Sequence, residues 1–529
     1  MTFRAPGGGM RIAESSHMPT LTESLATSCS LTPIARAAGG GLLALLVAAC
    51  SASGGIEKTE GADGLPVGVA QLDLSLKRLP NDVLFRNPTG HVTTVSTAGF
   101  VDLTNEFFQD LGTNGRRCVS CHEPSAAWSV TPSHLRAVFE ASNGGQTPDP
   151  LGLSAVFRTN DGANAPNGDV STLAARRSAY SQLLTKGLIR VGIGVPAGAD
   201  YYLAAVDDPY GYAGAAELSL FRRPLPTTNM KFLSTIMWDG RETFGGTDHC
   251  NAAAEGGKCF AAIGFDLTDQ SNAATLGHAQ GAHALTDVQR ASIVAFEMSL
   301  TTAQVRDDEV GRLDRAGGRG GIAGILAQPT YYGMNDNLGD YQTGAAFTPN
   351  VFDVYAAWAA SEEDERQAVA RGEALFNTRP ITLTGVAGLN GAVGSPFNPP
   401  LPDTFVGACT TCHDGPNAGN HSIVAPLNIG LTDASRRTAD MPLYTLCKVA
   451  DPSTCIQTTD PGRALVSGKY ADVGKFKGPV LRGLAARAPY FHNGLAKDFD
   501  AVIDFYNERF GMNVTPREHA DLVAFLRTL

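Results

Sequence analysis

The sequence has few charged side chains, and basic residues are the minority among them. Lys and Arg total 41 against 52 Asp and Glu, which gives a formal net charge of −11, and only 18% of the 529 residues are charged. An acidic surface disfavours nucleic acid and anionic lipid as partners, and it suits a basic redox partner. Low charge together with 59 Gly and 30 Pro indicates a loop-rich globular chain rather than a coiled coil or a disordered one.

Long hydrophobic runs are also lacking. The most apolar stretch, residues 37–49, is too short to span a bilayer but suits the hydrophobic segment of a signal peptide. Small residues precede Cys50, as is typical of bacterial lipoprotein processing. We therefore predict a signal peptide over residues 1–50 with a lipid anchor at Cys50; ordinary cleavage with an incidental Cys50 is the alternative. We expect residues 51–95 to form a tether and entry segment. We also expect the protein to reside in the periplasm or cell envelope.

The ten cysteines leave no Cys/His quartet for a zinc site, but four of them belong to two CxxCH motifs. These are Cys118-Val-Ser-Cys121-His122 and Cys409-Thr-Thr-Cys412-His413. In this motif the two thiols add across the vinyl groups of a haem, and the adjacent His becomes the proximal iron ligand. One match could arise by chance. Two matches in an exported chain predict two covalently bound c-type haems.

Four further cysteines form two close pairs in the sequence, Cys250 with Cys259 and Cys447 with Cys455. An exported protein folds in an oxidising compartment, so we predict that each pair is a disulfide that closes a small loop. Free thiols or a metal site are the alternatives, and His249 is the only additional ligand nearby.

Two segments have the sequence of one duplicated helix, residues 285–296 and residues 514–525. Both start with Thr-x-x-Gln/Glu, which predicts a capping box at the helix N-terminus. Both also share Ala-x-[Ile/Leu]-Val-Ala-Phe, which favours duplication over two unrelated amphipathic helices. The order of CxxCH motif, long middle and closing helix therefore occurs twice.

This repeated order predicts two cytochrome c-like haem domains in tandem. The first covers residues 96–300, the second covers residues 361–529, and the Gly-rich residues 301–360 connect them. Alternating strand patterns are few, so we expect a mainly α fold with long loops. Residues 123–227 are rich in Gly, Pro, Asn and Ala, and we interpret them as an insertion in the first domain.

Several segments resemble the bacterial dihaem cytochrome c peroxidase family, which includes MauG. They are Phe-Lys-Gly-Pro-Val-Leu-Arg-Gly-Leu at 476–484, Ala-Pro-Tyr-Phe-His-Asn-Gly at 488–494, Trp-Asp-Gly-Arg at 238–241, and Phe296-Glu297. The resemblance covers about residues 96–529 in the family's order. It implies an oxidoreductase that reduces hydrogen peroxide at the N-terminal haem. The C-terminal haem would receive electrons from a small cytochrome c or copper protein.

The resemblance also assigns roles near the interface of the two haems. Trp238 matches the aromatic residue that lies between them in the family, so it is expected to relay electrons; a core Trp is the alternative. Arg241 is expected to hold a haem propionate or a carboxylate across the interface. His492 is carried over as a proton or hydrogen-bond relay rather than an iron ligand.

The distal pocket of the first haem departs from the family pattern. Gln270 fits the position of the family's Gln, but Gln280 stands where the family has Glu. His278 is therefore our candidate for the acid/base or for a displaceable sixth ligand, because imidazole can do either near neutral pH. A structural His278 is the alternative, and His134 is the rival sixth ligand.

The second haem departs as well. The family's peroxidases use Met as its sixth ligand, and here Tyr506 stands at that position, as Tyr does in MauG. Tyrosinate stabilises ferric and higher-valent iron, whereas Met raises the reduction potential. We predict that His122, His413 and Tyr506 are the protein's iron ligands, with Met512 or no ligand as the alternative to Tyr506.

Three functions stay open at this point. The first is a dihaem peroxidase, the second a MauG-like oxidase that acts on a protein or organic substrate through high-valent haems, and the third a non-enzymatic electron-transfer cytochrome. The resemblance also raises a calcium ion between the domains, although the usual Asn is not evident near residues 223–227. A homodimer is another open alternative, because the family often dimerises.

Overall fold

The structure, a computed structural model, describes residues 76–81, 83–243, 263–392 and 401–529. The predicted signal peptide, the anchor at Cys50 and the pair Cys250–Cys259 lie outside these residues. Within them, both CxxCH motifs belong to one compact unit, which extends over Ile56–Leu529. The domain boundaries proposed from the sequence stay a prediction.

The described residues contain ten α-helices, most of them short. None of them is long and apolar enough to cross a membrane. The two CxxCH motifs lie on separate 3-10 turns, at Cys118–Ser120 and Cys409–Thr411. The helices are α1 Pro132–Ala141, α2 Leu173–Ala179, α3 Ser181–Lys186, α4 Ile263–Gly277, α5 Asp287–Ser299, α6 Ile322–Ala327, α7 Asp364–Thr378, α8 Ala464–Ser467, α9 Phe499–Phe510 and α10 Pro516–Leu526.

Thirteen short strands form five small antiparallel sheets in the described residues, with strand orders β1-β4, β2-β3-β8-β9, β5-β7, β13-β12-β6 and β10-β11. The mainly α prediction is therefore not confirmed, because helices and sheets are mixed and long loops join them. The strands are β1 Arg78–Pro80, β2 Leu84–Asn87, β3 Gly90–Ser96, β4 Phe100–Asp102, β5 Ile189–Ile193, β6 Tyr201–Asp207, β7 Leu218–Arg222, β8 Leu300–Asp307, β9 Gly311–Arg312, β10 Ile381–Thr384, β11 Thr404–Gly407, β12 Leu443–Lys448 and β13 Cys455–Thr458.

Both predicted capping boxes are confirmed at the starts of α5 and α10. The Thr286 hydroxyl accepts from the Gln289 backbone N–H at 3.3 Å, and the Gln289 side chain accepts from the Thr286 N–H at 3.0 Å. Thr515 and Glu518 make the same exchange at 3.2 and 2.8 Å. Each box satisfies two backbone donors that would otherwise lack partners at the first turn.

Helix α5 packs against the first CxxCH motif through aromatic rings. The ring centroid of Phe296 lies 5.1 Å from that of Phe107, and the Phe107 ring lies 6.3 Å from the His122 imidazole. All of Phe107 and most of Phe296 are buried. Buried aromatic side chains of this kind typically contribute about 3–5 kcal/mol each when truncated to Ala.

Helix α10 repeats this arrangement at the second motif. Phe525 packs on Phe376 at 5.6 Å, and the Phe376 ring lies 6.0 Å from the His413 imidazole. The close crossing of α7 and α10 depends on Gly372, where an added Cβ would lie 1.9 Å from the Asp521 carbonyl oxygen. Each closing helix thus supports its haem motif through one intervening Phe, as duplication of the unit would produce.

The predicted insertion, residues 123–227, is ordered into α1–α3 and β5–β7. Its strand β6 pairs with β12 of the C-terminal half, and β12 pairs with β13. The predicted disulfide Cys447–Cys455 is confirmed and joins β12 to β13. The insertion is therefore attached by backbone hydrogen bonds to the C-terminal half of the chain.

Candidate active site

Each CxxCH motif contributes to the wall of its own cavity. The two cavities enclose about 1520 and 1670 Å³, including the space open to solvent. Cys118, Cys121 and His122 line the first cavity, and Cys409, Cys412 and His413 line the second.

The two motif histidines are oriented in the same way. His122 Nδ1 donates to the Trp128 carbonyl oxygen at 3.1 Å, and His413 Nδ1 donates to the Gly419 carbonyl oxygen at 2.7 Å. Because Nδ1 is engaged, Nε2 is the ring nitrogen left to ligate a metal. Burial lowers the pKa of His122 to about 4, so its imidazole is neutral, which is the form that binds iron.

Three buried cations in the cavity walls lack an acidic partner among the described residues. Arg223 and Lys477 line both cavities and Arg487 lines the second. Their hydrogen bonds go to backbone carbonyls, such as that of Thr235 at 2.7 Å from Lys477 Nζ. Burial lowers their pKa values to about 9, 7 and 10 respectively. The two propionates of a haem would supply the missing anions, so the residues present fit a haem in each cavity.

His278 lies in the first cavity wall as part of a charged relay. Its Nδ1 donates to Asp161 Oδ2 at 2.5 Å, and Asp161 also forms a buried ion pair with Arg116. Burial alone would raise the pKa of Asp161, but Arg116 and His278 lower it below its usual value. The carboxylate therefore stays ionised, fixes the imidazole tautomer with its proton on Nδ1, and leaves Nε2 as the basic nitrogen.

Sequence reasoning found His278 but missed both of its partners. Asp161 lies in the predicted insertion, more than one hundred residues from His278, and no local pattern marks it. Arg116 stands two residues before Cys118, and its guanidinium also donates to the His278 carbonyl oxygen at 3.1 Å. Only the fold brings the three together.

The other three candidates for the distal pocket of the first haem lie in different places. Gln270, on α4, lines the first cavity. Gln280 does not; it is exposed at the surface, where its side chain accepts from Asn114 at 3.3 Å. His134 lies on α1, outside both cavity linings, with Nε2 3.0 Å from a Glu123 carboxylate oxygen.

Glu297 is a cavity residue to which the sequence alone assigned no role. It lies on α5, lines the first cavity, and is 3% exposed. Its Oε2 has no hydrogen-bond partner among the described residues, and burial raises its pKa to about 8. A protonated carboxyl at neutral pH can donate a proton or a hydrogen bond, as buried catalytic acids do. The resemblance of Phe296-Glu297 to the dihaem peroxidase family was the sequence signal that could have identified this residue.

Trp238 stands in the wall between the two cavities and lines both. Its indole N–H donates to the Arg223 carbonyl oxygen at 2.8 Å, which fixes the ring. The imidazole of His492, which lines the second cavity, lies 6.1 Å from the indole and stacks on Phe476 at 3.9 Å. Neither ring nitrogen of His492 has a hydrogen-bond partner among the described residues, and burial lowers its pKa to about 4.

A buried ion network holds Trp238 in place through its neighbour. Asp239 pairs with Arg222 at 2.5 Å, and Arg222 also pairs with Asp460 at 2.7 Å. Burial would raise the pKa of Asp239, but the charges of Arg222 and Arg241 bring it to about 2. Arg241 lines the first cavity and contacts Asp239 at 3.2 Å. Arg222, rather than Arg241, makes the ion pair with the C-terminal half.

Both candidate sixth ligands of the second haem line the second cavity. Tyr506 lies on α9, and Met512 follows two residues after that helix ends. Burial raises the pKa of the Tyr506 phenol. The two side chains share one hydrophobic cluster with Cys409 and Cys412, so the geometry brings both residues to the motif.

Comparison with known proteins gives partial similarities. No protein-family model matches the chain. The chain is 35% identical over 136 residues to the cytochrome-c peroxidase IdrP2 of Denitromonas iodatirespirans, covering 24% of this chain and 37% of that protein. It is 30% identical over 122 residues to the cytochrome c551 peroxidase of Pseudomonas aeruginosa, covering 23% and 30%. The chain is related to the bacterial cytochrome-c peroxidases.

These curated relatives are matched over only about a third of their length. Similar solved structures include a MauG-like protein associated with microbial copper homeostasis, at 16% identity and TM-score 0.28, covering 60% of this chain and 78% of that one. Another is a variant of the diheme peroxidase BthA from Burkholderia thailandensis, at 16% identity and TM-score 0.25, covering 88% and 90%. At such low identities and TM-scores, neither similarity bears on the function of this chain.

Proposed function

We propose that the chain is a dihaem c-type peroxidase that reduces hydrogen peroxide to two waters, with two protons and two electrons from a small redox protein. The observation that carries the proposal is the asymmetry of two cavities that share one wall. Among the described residues, only the lining of the first cavity includes a His–Asp pair, and Trp238 lies between the two cavities. The bound haems supply the iron redox chemistry, and the protein supplies proton transfer, orientation and anion binding.

Proton movement is assigned to His278. Cleavage of the peroxide bond requires a proton to leave one oxygen and reach the other. The Nε2 of His278 can take that proton and return it, because Asp161 holds Nδ1–H and stabilises the imidazolium that forms. Gln270 and Glu297 line the same cavity and can donate hydrogen bonds to the oxygens.

Electron delivery is assigned to the second cavity and its shared wall. Trp238, whose ring is held by Arg223 and lies beside His492, would relay an electron across the wall between the two cavities. The net acidic surface suits a basic donor, such as a small cytochrome c or a copper protein.

The test uses the dihaem protein with reduced cytochrome c and hydrogen peroxide. We expect His278→Gln to lower kcat/KM for peroxide by about 10²–10⁴-fold, the usual contribution of a general acid/base. His134→Gln is the matched control, because this imidazole is also paired with a carboxylate but lies outside the cavity linings. Equal activity of wild type and His278→Gln would contradict the assignment.

A second candidate is oxidation of a protein or organic substrate, as in the MauG branch. One observation favours it: Tyr506 lines the second cavity at the position where the resembling peroxidases carry Met. Peroxide added to the ferric protein would then give a long-lived near-infrared absorbance and little cytochrome turnover, and Tyr506→Met would shift the balance towards cytochrome oxidation. The third candidate, a simple electron-transfer cytochrome, would not react with peroxide in either experiment.

The cellular setting belongs to the proposal as well. Covalent haem c attachment and the disulfide Cys447–Cys455 favour an exported protein in the periplasm or cell envelope. The lipid anchor at Cys50, the interdomain calcium ion and the homodimer stay predictions of the sequence.

A further inference from the structure

We propose that Asp336, Asp414 and His421 bind a divalent transition-metal ion, Zn²⁺ or Mn²⁺, at a site separate from the haem irons. One ligand atom from each of the three side chains lies within 4.8 Å of the others. His421 Nε2 is 3.8 Å from Asp336 Oδ2 and 3.7 Å from Asp414 Oδ2. These separations are too long for hydrogen bonds but leave space for one ion between the three atoms.

The atoms that face this space are buried and have no partner. Asp336 and Asp414 are fully buried, and His421 is 4% exposed. Both Oδ2 atoms and both ring nitrogens of His421 lack a hydrogen-bond partner among the described residues. Native proteins rarely leave buried polar atoms unpaired, and three of these four, the two Oδ2 atoms and Nε2 of His421, surround one space and indicate a missing ligand.

The remaining carboxylate oxygens are held in place by the backbone. Asp336 Oδ1 accepts from the Leu338 N–H at 2.9 Å, and Asp414 Oδ1 accepts from the Ser422 N–H at 2.7 Å. Each carboxylate is thus fixed through one oxygen and presents the other to the common space. Outer hydrogen bonds of this kind orient the ligands of known metal sites.

A divalent cation would also balance the charges here. Within the described ranges, no Lys or Arg forms an ion pair with Asp336 or Asp414, although both carboxyl groups are buried side by side. Two buried carboxylates without a cation are strongly disfavoured. A divalent ion would neutralise both charges.

The donor set selects the type of metal. Two carboxylates and one imidazole, with no thiolate, suit Zn²⁺ or Mn²⁺, whereas Ca²⁺ and Mg²⁺ prefer oxygen ligands alone. The site would join two distant parts of the chain. Asp336 belongs to the connector 301–360, and Asp414 directly follows His413 of the second CxxCH motif. The ion would therefore fasten the connector to the loop that holds the second haem.

The first experiment measures metal content in the dihaem protein, produced in medium supplemented with ZnCl₂ or MnCl₂ and dialysed against a chelator. We expect about one Zn²⁺ or Mn²⁺ per chain beside the two haem irons. Asp336→Asn and His421→Gln should each lose this ion while keeping both haems by absorbance. Asp353→Asn is the control and should retain the ion, because its carboxylate pairs with Arg319 elsewhere.

The second experiment needs no variant. Crystals of the wild-type dihaem protein are measured on both sides of the zinc or manganese absorption edge, which separates either metal from iron. An anomalous peak between the three side chains supports the proposal. A wild-type protein with two haems and no further metal, or an ion bound elsewhere, would overturn it and leave the two carboxyl groups sharing protons instead.

Discussion

The substitution Asp161→Asn tests the proton-transfer assignment most sharply, because it keeps the size of the side chain and removes its charge. In the wild type the carboxylate accepts from His278 Nδ1 at 2.5 Å, so the proton resides on Nδ1 and Nε2 is basic. An Asn side chain can donate its amide N–H to Nδ1 and so favour the opposite tautomer, with the proton on Nε2. We expect kcat/KM for peroxide to fall by about 10²–10⁴-fold, as loss of an orienting carboxylate does elsewhere.

The same substitution has a stability effect that must be separated from catalysis. Arg116 is 4% exposed and would lose its only carboxylate partner among the described residues, keeping carbonyl partners such as Ala155. Removal of one partner of a buried ion pair typically destabilises by about 3–5 kcal/mol. His278→Gln should cost much less, because the His278 side chain is 37% exposed and Arg116–Asp161 stays intact.

The assay is the peroxide-dependent oxidation of reduced cytochrome c, normalised to haem content and run well below the Tm of each variant. If the two residues act as a unit, the double variant should lose no more activity than either single variant. Nearly wild-type kcat/KM in Asp161→Asn, or multiplicative losses in the double variant, would refute the relay.

Three other outcomes are expected. Trp238→Phe should slow cytochrome turnover while the reaction of peroxide with the first haem keeps its rate, which stopped-flow absorbance distinguishes. Tyr506→Phe should abolish the low-spin EPR signature of the second haem; if Met512→Leu does so instead, the ligand assignment is wrong. Glu297→Gln should raise Tm more at pH 8 than at pH 5. Burial raises the pKa of Glu297 from 4.5 to about 8. Between these pH values the folded state keeps a proton that the unfolded state releases. The stability of the wild type therefore falls as pH rises from 4.5 to 8. Equal Tm differences at both pH values would count against a protonated Glu297.

Local sequence signals predicted the local structure well. The capping boxes of α5 and α10 and the disulfide Cys447–Cys455 follow from residues close together in the chain, and all are confirmed. The CxxCH motifs pointed to the two cavities for the same reason. Trp238, Gln270 and His278 do line the first cavity, and the resemblance placed them there by order rather than by geometry.

Contacts between distant segments could not be predicted in the same way. Asp161 meets His278 across 117 positions, and Asp336 approaches Asp414 only because the connector folds onto the second motif. The small sheets were missed because strands of two to eight residues carry too few alternations to be distinguished from loops. Gln280 was misplaced because α4 ends at Gly277, after which the chain turns to the surface.

The central claim is that the two haem cavities act together to reduce peroxide. Its most direct test is stoichiometric: the wild-type dihaem protein, with a limiting amount of hydrogen peroxide and excess reduced cytochrome c, should oxidise two cytochromes per peroxide consumed, over many turnovers. Peroxide consumption without cytochrome oxidation would contradict the peroxidase account and favour oxidation of another substrate. No reaction with peroxide at all would contradict both.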